Sequence, residues 1–214
     1  NVALGRNTMG AGVTTGNDNI GIGMSAADAL TTGYQNIAMG INAYGTAAAG
    51  NDNIALGNAA MGNSLTTGTQ NIAIGTNAAD ALLAGDHNVG VGHLALSAAT
   101  TGFHNIALGC GALAVATTGC YNIGIGGTAL GGTDTTGINN IAMGQSSMDA
   151  LTTGFGNIAL GHNALGASTT GCYNIGIGTT TMGGAVTTGV SNIAIGNVAL
   201  DALTTGICNI ALGV

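Results

Sequence analysis

Asn192-Ile193-Ala194-Ile195-Gly196-Asn197-Val198-Ala199-Leu200-Asp201-Ala202-Leu203-Thr204-Thr205-Gly206-Ile207-Cys208 is one copy of a unit that fills the whole chain. Its opening pentad, Asn-apolar-Ala/Gly-apolar-Gly, recurs thirteen times, starting at Asn1, Asn19, Asn36, Asn53, Asn71, Asn88, Asn105, Asn122, Asn140, Asn157, Asn174, Asn192 and Asn209. Successive starts lie 17 or 18 residues apart. No linker or second domain fits between them, so residues 1–214 read as a single repeat array. A second signature closes each interval: a Gly, usually preceded by Thr-Thr as in Thr14-Thr15-Gly16.

A unit of 17 residues with two short extended pieces and two glycine corners is the size of one coil of a parallel β-solenoid, each coil stacking on the last at about 4.8 Å. A helical solenoid is excluded, because each interior Gly costs roughly 1 kcal/mol relative to Ala and the chain has 41 of them. The expected architecture is therefore all-β, a β-roll of about twelve coils and roughly 58 Å long. The 18-residue units carry one extra residue before Thr-Thr-Gly, as in Gly131-Gly132-Thr133-Asp134, and a surface loop is expected there.

A three-sided coil with one pentad per face is a competing geometry, since Asn1, Asn53, Asn105, Asn157 and Asn209 are spaced 52 residues apart. The phase of the variants argues against it. Asp28, Asp80, Asp149 and Asp201 mark the second, fifth, ninth and twelfth units, and the 18-residue units are the first, fourth, eighth and eleventh. A middle step of four would move every variant onto the wrong face of a three-sided turn, whereas a one-unit coil absorbs it. Strand residues should then pair with residues 17 or 18 further on.

Strand alternation places pentad positions 2 and 4 on one face and position 3 on the other. The apolar pairs, such as Ile158 and Leu160, are expected to form the core ladder. Position 3 is only ever Ala or Gly, as at Ala55, Ala107, Ala159, Gly124 and Gly176. A free solvent face would admit polar residues, so this restriction predicts an outward face pressed against another backbone, and hence an intimate homo-oligomer. The pentad Asn, as at Asn53, Asn105 and Asn157, is expected to stack into an amide ladder along the rod. The pentad Gly, as at Gly57, Gly109 and Gly161, and the Gly of Thr-Thr-Gly are expected at turns that need positive φ.

Composition removes whole classes of function. Arg6 is the only basic residue against eight Asp, and the net charge is -7, so there is no footprint for nucleic acid or anionic lipid. Apolar runs are broken every few residues, far short of the roughly 20 that a membrane-spanning helix needs. Glu is absent, no Asp pair recurs beside a His, and Gly-x-Gly matches such as Gly21-Ile22-Gly23 are by-products of the repeat. No catalytic site, cofactor or metal site is expected. His87 with His104, and His93 with Cys110, fall in adjacent coils, but neither set supplies the three or four ligands of a closed metal site. Cys120 and Cys172 share a column three coils apart, roughly 14 Å, beyond the reach of a disulfide.

The run Asn-Ile-Ala-Ile-Gly-x-x-Ala-Leu followed by Thr-Thr-Gly resembles the head repeats of trimeric autotransporter adhesins of the YadA type. It is closer still to the 17-residue repeats of phage and bacterial tail-fibre proteins. The resemblance covers the whole chain. It implies a left-handed parallel β-roll and a trimer packed through small-residue faces.

Together these readings give an expected structural or adhesive fibre segment, extracellular, on a cell surface or on a virion. A cell-surface glycan receptor is a candidate partner. The terminal coils repeat the Ile, Ala and Gly of the interior without a polar cap, so end-to-end stacking or continuation is also expected. The alternative is a ligand-binding solenoid that recognises glycan or ice along its Thr-lined face.

Overall fold

The computed structural model describes residues 1–10 and 14–213. Thirteen three-residue strands run in chain order: β1 (Val2–Leu4), β2 (Ile20–Ile22), β3 (Ile37–Met39), β4 (Ile54–Leu56), β5 (Ile72–Ile74), β6 (Val89–Val91) and β7 (Ile106–Leu108), followed by β8 (Ile123–Ile125), β9 (Ile141–Met143), β10 (Ile158–Leu160), β11 (Ile175–Ile177), β12 (Ile193–Ile195) and β13 (Ile210–Leu212). Each pairs in parallel with the next, forming one sheet in sequence order. Val2 stands opposite Ile20 and Ile158 opposite Ile175, steps of 18 and 17 residues. One repeat is therefore one coil of a β-solenoid, and the three-sided alternative falls.

The wall opposite the strands is bonded from coil to coil as well. Leu94 N–H donates to Thr76 O at 3.1 Å, Leu96 N–H to Ala112 O at 3.0 Å and Ala98 N–H to Ala114 O at 2.8 Å. These ladders sustain an unusual backbone. In every complete coil the residue before the pentad Asn and the second and fourth residues after the pentad Gly have φ near +55°, whatever their identity: in one stretch His87, Leu94 and Leu96. Left-handed conformation costs an L-residue roughly 1–2 kcal/mol. The inter-coil backbone bonds offset that cost.

The core corrects the expected assignment of faces. Ala55, Ala107 and Ala159 are fully buried within the single chain, while the apolar residues on either side of them face outward and are half-buried or exposed. Alternation was read correctly, but the inner face is the one carrying Ala and Gly. The reason is room. The far wall fills the interior with Leu96, Leu113, Leu130, Met148, Leu165 and Met182, all buried, and leaves the strand space for a methyl or less. A Cβ added to Gly176 would sit 3.3 Å from Leu165 Cγ and 3.6 Å from Met182 Cε, and one added to Gly124 would sit 3.4 Å from Leu113 Cγ. Position 3 is small because the coil is thin, and no second chain is needed to explain it.

Volume is also balanced within coils. Where the far wall has Tyr44, Leu96 or Leu113, the buried position three residues on is Ala47, Ala99 or Ala116. Where it has Ala27 or Ala79, that position is Leu30 or Leu82. Such exchange keeps the interior close-packed.

Candidate binding surfaces

The pentad Asn residues form the expected ladder, and all but the two terminal ones are buried. Asn53 Oδ1 accepts the backbone N–H of Asn71 at 2.9 Å and its Nδ2 at 3.1 Å. The same Asn71 Nδ2 donates to Gly85 O across its own coil at 2.8 Å. Asn105 and Asn157 repeat this arrangement with Gly119 and Gly171. The Gly of Thr-Thr-Gly is thereby explained, and differently from the expectation. Its φ is not positive, and it is Gly because Asn Nδ2 and the next coil's backbone lie against it: a Cβ on Gly102 would be 3.0 Å from Asn105 Nδ2. The pentad glycines do need positive φ, with Gly57 at 135°, Gly109 at 136° and Gly161 at 135°. Tyr44 joins the ladder from inside, its hydroxyl oxygen accepting Asn53 Nδ2 at 3.0 Å. Burial pushes its pKa far above the usual tyrosine range, and the Asn53 bond acts the other way.

The 18-residue coils are each clasped by the coil that follows. In the fourth, eighth and eleventh units the extra-residue segment is a surface loop, with Leu65, Asp134 and Val186 exposed, and it turns Thr66, Thr135 and Thr187 inward. In the first unit the segment lies outside the described residues. Thr66 Oγ1 donates to Leu82 O and Thr135 Oγ1 to Leu151 O, both at 2.8 Å. The Asp of the following coil reaches back to the same loop. Asp28 Oδ1 accepts Gly10 N–H at 3.2 Å, and Asp80 Oδ2 accepts Asn63 Nδ2 at 2.8 Å. Asp149 and Asp201 lie against Gly132 and Gly184. This explains why the long units and the Asp-Ala-Leu units travel together along the chain. Oδ1 of Asp80, Asp149 and Asp201 is buried without a hydrogen-bond partner. Burial raises the Asp149 pKa above the ordinary carboxylate value, and the backbone N–H of Gly132 opposes that rise.

Threonine hydroxyls in the other coils are similarly engaged. Thr31 Oγ1 donates to Ala48 O at 3.0 Å, Thr100 to Thr117 O at 3.1 Å and Thr152 to Thr169 O at 3.0 Å. The first Thr of each of these pairs thus serves coil stacking, and the second, as at Thr32, Thr101 and Thr153, is the exposed one.

Outside the ladders, His87, His104 and Tyr121 stack along the axis with centroids 4.6 and 5.1 Å apart, and Phe103 packs edge-on to Tyr121 at 5.2 Å. Phe155 and Tyr173 pair in the same way at 4.9 Å. His93 Nδ1 lies 3.7 Å from Cys110 Sγ. The four cysteines are free thiols. Among the described residues no three His, Cys, Asp or Glu side chains converge, and no helix is long and apolar enough to cross a membrane.

The outer face of the sheet is left uncovered by the chain itself. Every strand presents two apolar side chains there, with Met39, Ile74, Ile106, Met143 and Ile195 among the more exposed. No family model, curated protein or solved structure matches the chain.

Proposed function

We propose that the chain is a rigid rod segment of a fibre, structural or adhesive in role, that assembles with copies of itself and works on a cell surface or virion. One observation carries this reading: two columns of Ile, Leu, Val and Met run the length of the sheet, along roughly 58 Å, on the side facing away from the core. Contiguous apolar patches of more than a few hundred Å² mark interaction sites. A straight stripe of constant chemistry is matched best by an identical stripe. The resemblance to adhesin heads favours three copies, now joined through the aliphatic face instead of the Ala/Gly face. The acidic, almost Lys- and Arg-free surface keeps nucleic acid and anionic lipid from competing for that face.

Replacing Ile106 and Ile158 by Glu tests the reading. The outward side chains should tolerate the change in folding terms, so the circular dichroism of the coil stays and the sedimenting mass falls from a multiple of 20.3 kDa to that of one chain. A native chain that already sediments as a monomer at micromolar concentration would sink the proposal.

A further inference from the structure

A trough of about 290 Å³ opens on the rod beside the Asp column, with Ser25, Asp28, Asn42, Thr46 and Asn63 around a floor of Gly45 and Gly62. Its existence is a choice of sequence. Asp28, Gly45, Gly62 and Asp80 occupy the same position in successive coils, and the next two coils place Ser97 and Ala114 there. Side chains thus stand at this position in other coils, whereas at Gly45 and Gly62 a Cβ would lie 3.0 and 2.7 Å from Asn42 O, and the trough is open because these two adjacent coils carry none.

Its polar groups are only partly used. Asp28 Oδ1 accepts Gly10 N–H, Asn63 Nδ2 donates to Asp80, and the Thr46 hydroxyl lies 2.9 Å from Gly62 O and 2.8 Å from Ser64 O. Among the described residues the Asn42 carboxamide, the Ser25 hydroxyl, Asp28 Oδ2 and Asn63 Oδ1 have no hydrogen-bond partner. One carboxylate acceptor, two carboxamides that both donate and accept, and a hydroxyl form a set suited to a neutral polyol. A bare glycine floor lets ring C–H groups lie against backbone. The chemistry does not suit calcium, which takes six to eight oxygens and usually several carboxylates, and there is no cationic group for a phosphate. The volume sits at the lower edge of small-molecule sites, about 300 Å³, which is room for a single sugar ring.

We propose that this trough binds one pyranose unit of a glycan, with sugar hydroxyls bonded to Asp28, Asn42 and Asn63. The proposal goes beyond the rod role, uses a different face from the exposed threonines, and stands whether or not the chain oligomerises.

Saturation-transfer NMR on the full chain, with free glucose, galactose, mannose and N-acetylglucosamine as probes, tests it. At least one sugar should receive saturation in the presence of EDTA, and its binding should weaken at least tenfold in Asn42→Gly and in Gly45→Ser. Asn42 has φ of 54°, so Gly removes the carboxamide without disturbing the turn. Thr153→Val, at an exposed threonine far along the rod from the trough, should bind as the native chain does. Sedimentation and thermal melts run alongside show that the variants are folded and assembled, which separates loss of the site from failure of the rod reading. Absence of transfer to every sugar, transfer that needs calcium, or transfer unaffected by both trough variants would each overturn the proposal.

Discussion

Each ladder Asn has two amide protons and an oxygen with two lone pairs, and at a position such as Asn71 the coil uses all of them. The protons go to the previous Asn and to the Gly carbonyl across the turn, and the oxygen accepts two N–H groups from the next coil. Asp could not donate, and would repeat a buried charge every 4.8 Å or so. Asp149, half-buried with its Oδ1 enclosed, shows the direction of that cost here. Its folded pKa is raised above the unfolded value of 3.8, so its contribution to stability is fully present below that value and is lost as pH rises through the folded pKa. Asp149→Asn keeps an acceptor for Gly132 and removes the charge. The variant should melt higher than the native chain near neutral pH, with the gap closing toward about pH 3. Parallel melting curves for the two proteins across that range would show that the carboxylate carries no such penalty.

At the level of the coil, period and pairing were legible in the spacing of the Asn residues, and the inner and outer faces were not. Hydrophobicity ordinarily decides which side of a strand is buried, and here it points the wrong way. The decisive information sits elsewhere in the unit, in Leu96, Leu113 and Met148 on the far wall. Nothing in the spacing assigns those residues to a face, and it is the left-handed φ of the far wall that brings them inward. The clasp of Asp80 on the preceding loop was visible only as an unexplained phase between long units and Asp-Ala-Leu units. The trough needed both its glycines and the neighbouring coils placed in space. The inverted faces change the outcome expected of one substitution. Ala107→Leu forces extra bulk into a closed interior, so it should lower coil stability by roughly 1–3 kcal/mol and broaden the melt before it alters association. A variant that keeps the native melting temperature and loses only its oligomeric mass would restore the outward reading of position 3.

On the scale of the whole rod, β1 and β13 present free strand edges, with Val2, Leu4, Ile210 and Leu212 all more than half exposed. Neither Pro nor Lys is present to blunt them. The isolated 214-residue chain is expected to associate end to end, seen as axial stacks by electron microscopy and as elution that moves earlier with concentration. Discrete rods of fixed length at millimolar concentration would rule this out. Such growth has a direction built into it. Every carboxamide of the Asn column points the same way, each Nδ2 toward the lower-numbered neighbour and each oxygen toward the higher. Asn1 therefore offers a spare donor at one extremity, and Asn209 offers an unfilled acceptor at the other. The aligned dipoles make the rod an arrow. Whatever extends it, further chain or another copy, meets matching groups only head to tail, so a filament of these rods has two chemically distinct ends and a single sense of travel along its length.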